Sequence, residues 1–168
     1  MVTISDSVTA GTREDKSGPA VQRRLEELGW AAEVQVLPDE PDAISTRLRE
    51  LAQTGVAAVF TTGGTGIAAR DWTPEATRAV LDREIPGMAE WMRMEGLRFT
   101  RRALLSRGVV GTRDRTVIVN LPGSPKGAVQ SLDAIADVLP HVVELLDGNT
   151  EHEPGSETAP DVRTSQKR

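Results

Sequence analysis

Apolar positions along the chain switch repeatedly between two spacings. Short dense runs, "VTIS" (Val2–Ser5), "AAEVQVL" (Ala31–Leu37) and "VAAVFT" (Val56–Thr61), read as strands. The third run is almost wholly apolar, as expected of a strand covered on both faces. Between them the spacing widens to three and four. Val21, Leu25 and Leu28 predict a helix that opens at Ser17-Gly18-Pro19, with Ser17 as N-cap, and closes at Gly29. Ile44, Leu48 and Leu51 predict a second helix, entered through the turn Pro38–Asp42 and closed by Gly55.

The alternation continues. A helix starts at Thr73-Pro74-Glu75, and Pro86-Gly87 separates it from the helical segment "MAEWMRMEGLRF". "GVVGT" and "TVIVNL" flank Arg113-Asp114-Arg115 as a hairpin, which adds one antiparallel strand. "PGSPKGA" follows as a second glycine-proline loop, and an apolar helical stretch runs to Leu146, kinked or divided by Pro140. The pattern predicts an α/β fold with a mostly parallel sheet. Residues 1–148 read as one domain, and the polar stretch 149–168, from Asn149 onward, as a disordered tail.

Bulk properties narrow the function. The chain has 168 residues, with 20 basic and 25 acidic side chains, for a net charge of −5. That balance lacks the electrostatic footprint of a nucleic-acid binder. With 0 cysteines there is no thiolate metal site and no thiol nucleophile. "MVTISDS" reads directly as a strand, with no leader-like run, and no segment approaches a membrane-spanning length. A cytoplasmic protein that touches neither membrane nor nucleic acid is the expectation.

In an open parallel sheet, ligands bind beyond the carboxyl ends of the strands. Four strands here end in loops of unusual composition: Ser5-Asp6-Ser7, Asp39-Glu40, Gly63-Gly64-Thr65-Gly66, and Pro122-Gly123-Ser124-Pro125-Lys126. If the sheet is parallel there, all four meet at one rim. Consecutive glycines accept positive φ and let backbone N–H groups cradle an anion, and Thr62 and Thr65 add hydroxyls. The later loop combines a tight turn, a hydroxyl and a helix start carrying one lysine.

Local alternatives stay open at this point. Asp71 also suits a helix-entry acid, Asp39 a turn residue, and Glu75 a first-turn helix residue. His141 and His152 stand far from the loops. Met88, Trp91, Met92 and Met94 suit packing or an interface. Arg98, Arg101, Arg102 and Arg107 suit a solvated or subunit-facing stretch, with a phosphate contact from Arg107 left open.

Three longer stretches are more specific. "TTGGTGIAARDWTPEA", "IPGMAEWMR" and "LLSRGVVGTRDRTVIVNLPGSPKG" resemble the molybdenum cofactor biosynthesis proteins of the Mog/MoaB type and the G domain of gephyrin. The likeness runs from "ISDS" to "VVELLDG". It implies a three-layer α/β/α sandwich and a homo-oligomer, a trimer or, in the MoaB branch, a hexamer. It implies adenylylation of molybdopterin by MgATP, with pyrophosphate released and the product handed to a molybdate-inserting enzyme. Carried over by position, the functional aspartates of that family fall on Asp39 and Asp71. Its ligand-binding segments fall on Gly63–Gly66 and Pro122–Lys126, and Asp6 matches the acid of the first-strand loop.

Such a reaction needs no strong base. A phosphate monoester, with a second pKa near ~6, is already mostly a dianion at neutral pH. The difficulty is to bring two polyanions together and to stabilise the leaving pyrophosphate. Two carboxylates beside polyphosphate require a cation between them, and Mg²⁺ typically takes one or two carboxylates plus phosphate oxygens. Asp39 and Asp71 are therefore the expected magnesium residues, and Lys126 a candidate to offset one phosphate charge. The competing expectation is a non-catalytic molybdopterin binder or carrier of the MoaB type. A nucleotide-binding module of a larger protein and an interaction scaffold both call for additional domains.

Overall fold

The computed structural model describes residues 1–148, and the tail expected from Asn149 onward lies outside the described residues. Six strands build one sheet: β1 (Val2–Ile4), β2 (Gln35–Leu37), β3 (Ala58–Thr62), β4 (Arg83–Glu84), β5 (Val110–Arg113) and β6 (Thr116–Leu121). Their order across the sheet is β2-β1-β3-β6-β5-β4. The first four in that order are parallel, β5 runs antiparallel to β6, and β4 pairs antiparallel with β5. The mostly parallel sheet with one reversed hairpin strand is thus as the sequence predicts.

Among the described residues lie helices α1 (Asp6–Thr9), α2 (Ser17–Glu27), α3 (Pro41–Gln53), α4 (Thr73–Arg78), α5 (Pro86–Leu97), α6 (Pro125–Asp133) and α7 (Leu139–Leu146), with a tight helical turn at Arg101–Leu105. Strand β6 shows why three layers form. Val117, Val119 and Leu121 point to one face and join Val21, Leu25, Met92, Leu132 and Leu139 from α2, α5, α6 and α7. Ile118 points to the other face and packs with Ile44, Leu48, Ala76 and Val80 on or beside α3 and α4. This period-2 alternation along a strand buried on both sides makes the sheet the middle layer. Each fully buried aliphatic side chain of this kind contributes about 1.5–3 kcal/mol relative to exposure.

Several local expectations shift. The second strand is shorter than Ala31–Leu37, because only Gln35–Leu37 finds ladder partners, on β1. Ser17 is not the N-cap of α2. Asp15 Oδ1 instead accepts from the N–H of Ser17 at 3.0 Å and of Gly18 at 3.0 Å, so a carboxylate upstream takes the orphan donors. The Ser17 hydroxyl donates to the same Asp15 oxygen at 3.2 Å and lies 3.0 Å from Thr62 Oγ1. Pro140 divides the last helical stretch: α6 ends at Asp133 and proline stands in the first turn of α7. Among the described residues, no helix is long and apolar enough to cross a membrane.

Candidate active site

The parallel register places the carboxyl ends of β2, β1, β3 and β6 side by side: Ile4 opposite Leu37, Thr3 opposite Thr62, and Thr62 opposite Leu121. The four loops singled out in the sequence therefore emerge along one rim. Two clefts open there. The larger, of about 570 Å³, lies between the rim and α5, α6 and the Arg101–Leu105 turn; Thr65, Gly66, Met92, Arg93, Pro122 and Ser124 are among its walls. The smaller, of about 220 Å³, is bounded by Asp15, Lys16, Asp39, Thr62 and Gly63. Gly64, Asp71 and Gly123 line both.

The glycine loop has its shape for identifiable reasons. Gly63 (φ +96°) and Gly64 (φ +61°) occupy the left-handed region that favours glycine. A Cβ on Gly63 would collide with the Ile4 carbonyl oxygen, and one on Gly64 with the Thr73 hydroxyl, while closing to 3.2 Å on Asp39 Oδ1. Thr73, at the start of α4, ties the loop down: its Oγ1–H donates to Gly63 O at 2.9 Å and its N–H to Gly64 O at 3.1 Å. The Thr62 hydroxyl is buried against Ser17, so it belongs to the foundation of the loop.

The acids are held as firmly as the loop. Asp39 Oδ2 accepts from the Asp6 N–H at 2.8 Å, and Asp6 Oδ1 accepts from the Asp39 N–H at 3.0 Å. Asp6 also pairs with Arg70 Nε at 2.7 Å, and Arg70 reaches Glu40 at 3.0 Å. Burial pushes the Asp39 carboxyl above its ordinary value, and the charges of Asp6 and Asp71 add to the rise. The hydrogen bond from Asp6 and the Arg70 guanidinium act in the opposite direction. Asp71 Oδ2 accepts from the Ala68 N–H at 2.7 Å, which turns the carboxylate back toward Gly66.

The second loop is ordered by its own helix. Ser124 is the N-cap of α6, its Oγ accepting from the Gly127 N–H at 3.2 Å. Lys126 is exposed and lines neither cleft. Asp6 lies behind Asp39 without lining either cleft. The other residues marked in the sequence, Thr62 to Gly66, Pro122 to Ser124, Asp39 and Asp71, are brought together at the rim.

Two contributors escape sequence reasoning. Asn120 is buried, and its side-chain N–H groups donate to Thr61 Oγ1 and Thr77 Oγ1, both at 3.0 Å, which ties β6 to β3 and α4 directly beneath the loops. A polar residue inside the apolar run "TVIVNL" is the signal that points to it. Arg107, for which the sequence left only a phosphate contact open, instead bonds the backbone of the glycine loop. His141 lies exposed on α7 beside Glu144, and His152 lies outside the described residues.

Among the described residues, no group of three or more acids or histidines converges to hold a metal ion alone. Asp39 and Asp71 supply two carboxylates to one small polar cleft. That donor set fits a magnesium ion whose other ligands are phosphate oxygens.

Comparison with known proteins identifies the family. Residues 1–141 match the family described as "Probable molybdopterin binding domain". The molybdopterin adenylyltransferase of Escherichia coli K12 is 39% identical, the match covering 96% of this chain and 89% of that protein. That of Haemophilus influenzae is 38% identical, covering 88% and 83%. The crystal structure of the molybdopterin biosynthesis enzyme MoaB from Thermus thermophilus superposes with a TM-score of 0.82 at 50% identity, covering 88% of this chain and 94% of that one. With that match over most of its length, the chain belongs to the molybdopterin-binding-domain family that holds the Mog and MoaB proteins.

Proposed function

We propose that this protein is a molybdopterin adenylyltransferase, joining the phosphate of molybdopterin to the α-phosphate of MgATP and releasing pyrophosphate. The observation that carries this reading is the sharing of Gly64, Asp71 and Gly123 by two clefts. Ligands seated in the two clefts meet on one glycine loop. The names of the Escherichia coli and Haemophilus influenzae relatives support the reaction type.

The bond formed is between a terminal phosphate oxygen of molybdopterin and the α-phosphorus of ATP. The bond broken is between that phosphorus and the oxygen bridging to pyrophosphate. The attacking phosphate is already mostly ionised at neutral pH, so no residue has to remove a proton. The work of the protein is alignment and charge compensation. The backbone amides of Gly63–Gly66 and the amino end of α6 bind and orient phosphate oxygens.

Asp39, fixed by the Asp6 N–H, and Asp71, fixed by the Ala68 N–H, present carboxylates for Mg²⁺. When bound there, Mg²⁺ neutralises charge between the polyanions. The absence of cysteine suits a ligand that brings its own dithiolene sulfurs.

The proposal includes self-association and a cytoplasmic site of action, with the product passed to a molybdate-inserting enzyme. Trp91, Met94, Phe99 and Leu104 leave an apolar surface on and after α5, with exposures of 49%, 60%, 57% and 66%. A patch of that kind on a small protein suits a subunit contact. A trimer is the expected assembly, and sedimentation velocity tests it.

The reaction is tested by incubating the purified protein with molybdopterin and MgATP and following the adenylylated product by mass spectrometry. A control enzyme runs in parallel. Product formation supports the transferase. Binding without product, while the control turns over, points to the non-catalytic carrier.

A further inference from the structure

Arg107 lies in the segment between the Arg101–Leu105 turn and β5, and its guanidinium runs under the loop that carries Asp71. Its Nε–H donates to Gly66 O at 2.5 Å and its NH2 group to Asp71 O at 2.5 Å. The NH1 group pairs with Glu75 Oε1 in the first turn of α4. The Arg107 backbone N–H donates to Thr65 O at 2.9 Å. One residue thus grips the loop at Thr65, Gly66 and Asp71. Glu75 Oε2 is buried without a hydrogen-bond partner among the described residues, so Glu75 is committed to the guanidinium through a single oxygen.

We infer that Arg107 is the positioning residue of the site, setting the curvature of residues 65–71 and hence where the Asp71 carboxylate stands. The alternative, a direct phosphate contact, conflicts with the geometry. Arg107 lines neither cleft, and its three engaged donor groups already face two carbonyls and a carboxylate. To reach a phosphate it would have to release the loop. A planar guanidinium can span two carbonyls at fixed separation, which a lysine ammonium cannot reproduce. Among the described residues, the Asp71 carboxylate itself accepts one hydrogen bond, from Ala68 within the same segment. Among the described residues, the other side-chain ties from this segment to the rest of the fold are the exposed ion pairs of Arg70 with Asp6 and Glu40.

The effect on turnover rests on the proposed adenylyl transfer, whereas the effect on loop order does not. The test is hydrogen–deuterium exchange on intact Arg107→Lys and Arg107→Ala, read in a peptide covering residues 66–72 against one covering β6. Kinetics with MgATP and molybdopterin run in parallel. Exchange in residues 66–72 is expected to accelerate about tenfold or more, with β6 unchanged, as for a local opening. kcat is expected to fall about 10–100-fold while KM for MgATP stays within about twofold, the pattern of lost positioning. Guanidinium chloride at millimolar concentration should partly restore Arg107→Ala, and sodium chloride at equal ionic strength should not.

A tenfold rise in KM with kcat preserved would establish a phosphate contact and overturn the inference, as would unchanged exchange. Glu75→Gln keeps an acceptor for NH1 and both carbonyl bonds, so it should loosen residues 66–72 far less than Arg107→Lys. Equal loosening would move the role to Glu75 and also overturn the inference. Should the Arg107 variants fail to fold, nitrogen-15 NMR of the wild type decides: an Arg107 Nε–H protected from exchange by the Gly66 carbonyl is expected, and one that exchanges as freely as an exposed arginine would overturn the inference. A wild-type protein that makes no adenylylated product would sink the proposed reaction, while the exchange data would still decide the role of Arg107.

Discussion

Asp6 and Asp39 hold each other by reciprocal hydrogen bonds, each carboxylate accepting from the other's backbone N–H, at 2.8 and 3.0 Å. Two neighbouring strands, β1 and β2, are stitched together at the rim where the ligands are proposed to sit. Removing the Asp6 side chain leaves the Asp39 N–H without its acceptor and leaves Arg70 paired with Glu40 alone. Asp6→Ala should cost about 1 kcal/mol in urea unfolding, since the bond is partly exposed to water. It should also weaken apparent Mg²⁺ affinity in the assay about tenfold, as loss of a supporting carboxylate does. Asp6→Asn, which keeps an acceptor, should behave closer to wild type on both counts.

The raised pKa of Asp39 has a definite sign. Burial makes its ionised form less favourable in the folded protein than in the unfolded chain. Native stability from this group is therefore highest when it is protonated, and falls as pH rises from the unfolded value through the folded one. Asp39→Asn should raise the melting temperature at pH 7 in calorimetry while lowering turnover by about two orders of magnitude. Carbon-13 NMR of the ligand-free protein should find the Asp39 carboxyl titrating above the ordinary aspartate value. Asp6→Asn should move that titration down, because a like charge is removed.

Much of the fold was readable because its signals are local. Alternating strand and helix spacings, Gly29 and Gly55 at helix ends, and the nearly pure apolar run before Thr62 needed no knowledge of distant contacts. The convergence of four loops on one rim followed from parallel topology. What escaped was what depends on partners far along the chain. Helix α1 is a single four-residue turn, Asp6–Thr9, capped by Ser5 through a bond of 3.4 Å, too short to show periodicity. Strand β4 has two residues and exists only because β5 offers it a ladder. The grip of Arg107 on the loop is invisible until the backbone brings Gly66 and Asp71 to it.

Asn120 provides a test of the foundation. It joins β6 to β3 and α4 through two donated bonds and accepts one from the Val109 N–H at 3.2 Å. Asn120→Ala leaves that buried N–H and two threonine hydroxyls without a partner. The expected loss is about 2–4 kcal/mol in urea unfolding, with the slope of the transition unchanged.

Gly63 tests the loop shape directly. Its positive φ and the nearby Ile4 carbonyl leave no room for a side chain. Gly63→Ala should destabilise the protein by more than about 1 kcal/mol and abolish detectable product, because β1 and β3 must separate at the rim to accept the methyl group. Gly29→Ala, at a helix end where a Cβ meets nothing within 4 Å, is the control: it should cost stability through its positive φ alone and leave turnover intact.

The most direct measurement is a magnesium titration of adenylyl-molybdopterin formation by wild type and Asp71→Asn at fixed ATP. With Asp71 as a magnesium residue, the variant should need about tenfold or more Mg²⁺ for half-maximal rate, and turn over about 100-fold more slowly at wild-type optimum. Unchanged magnesium dependence with near wild-type turnover would contradict the assignment and return Asp71 to the role of a helix-entry acid.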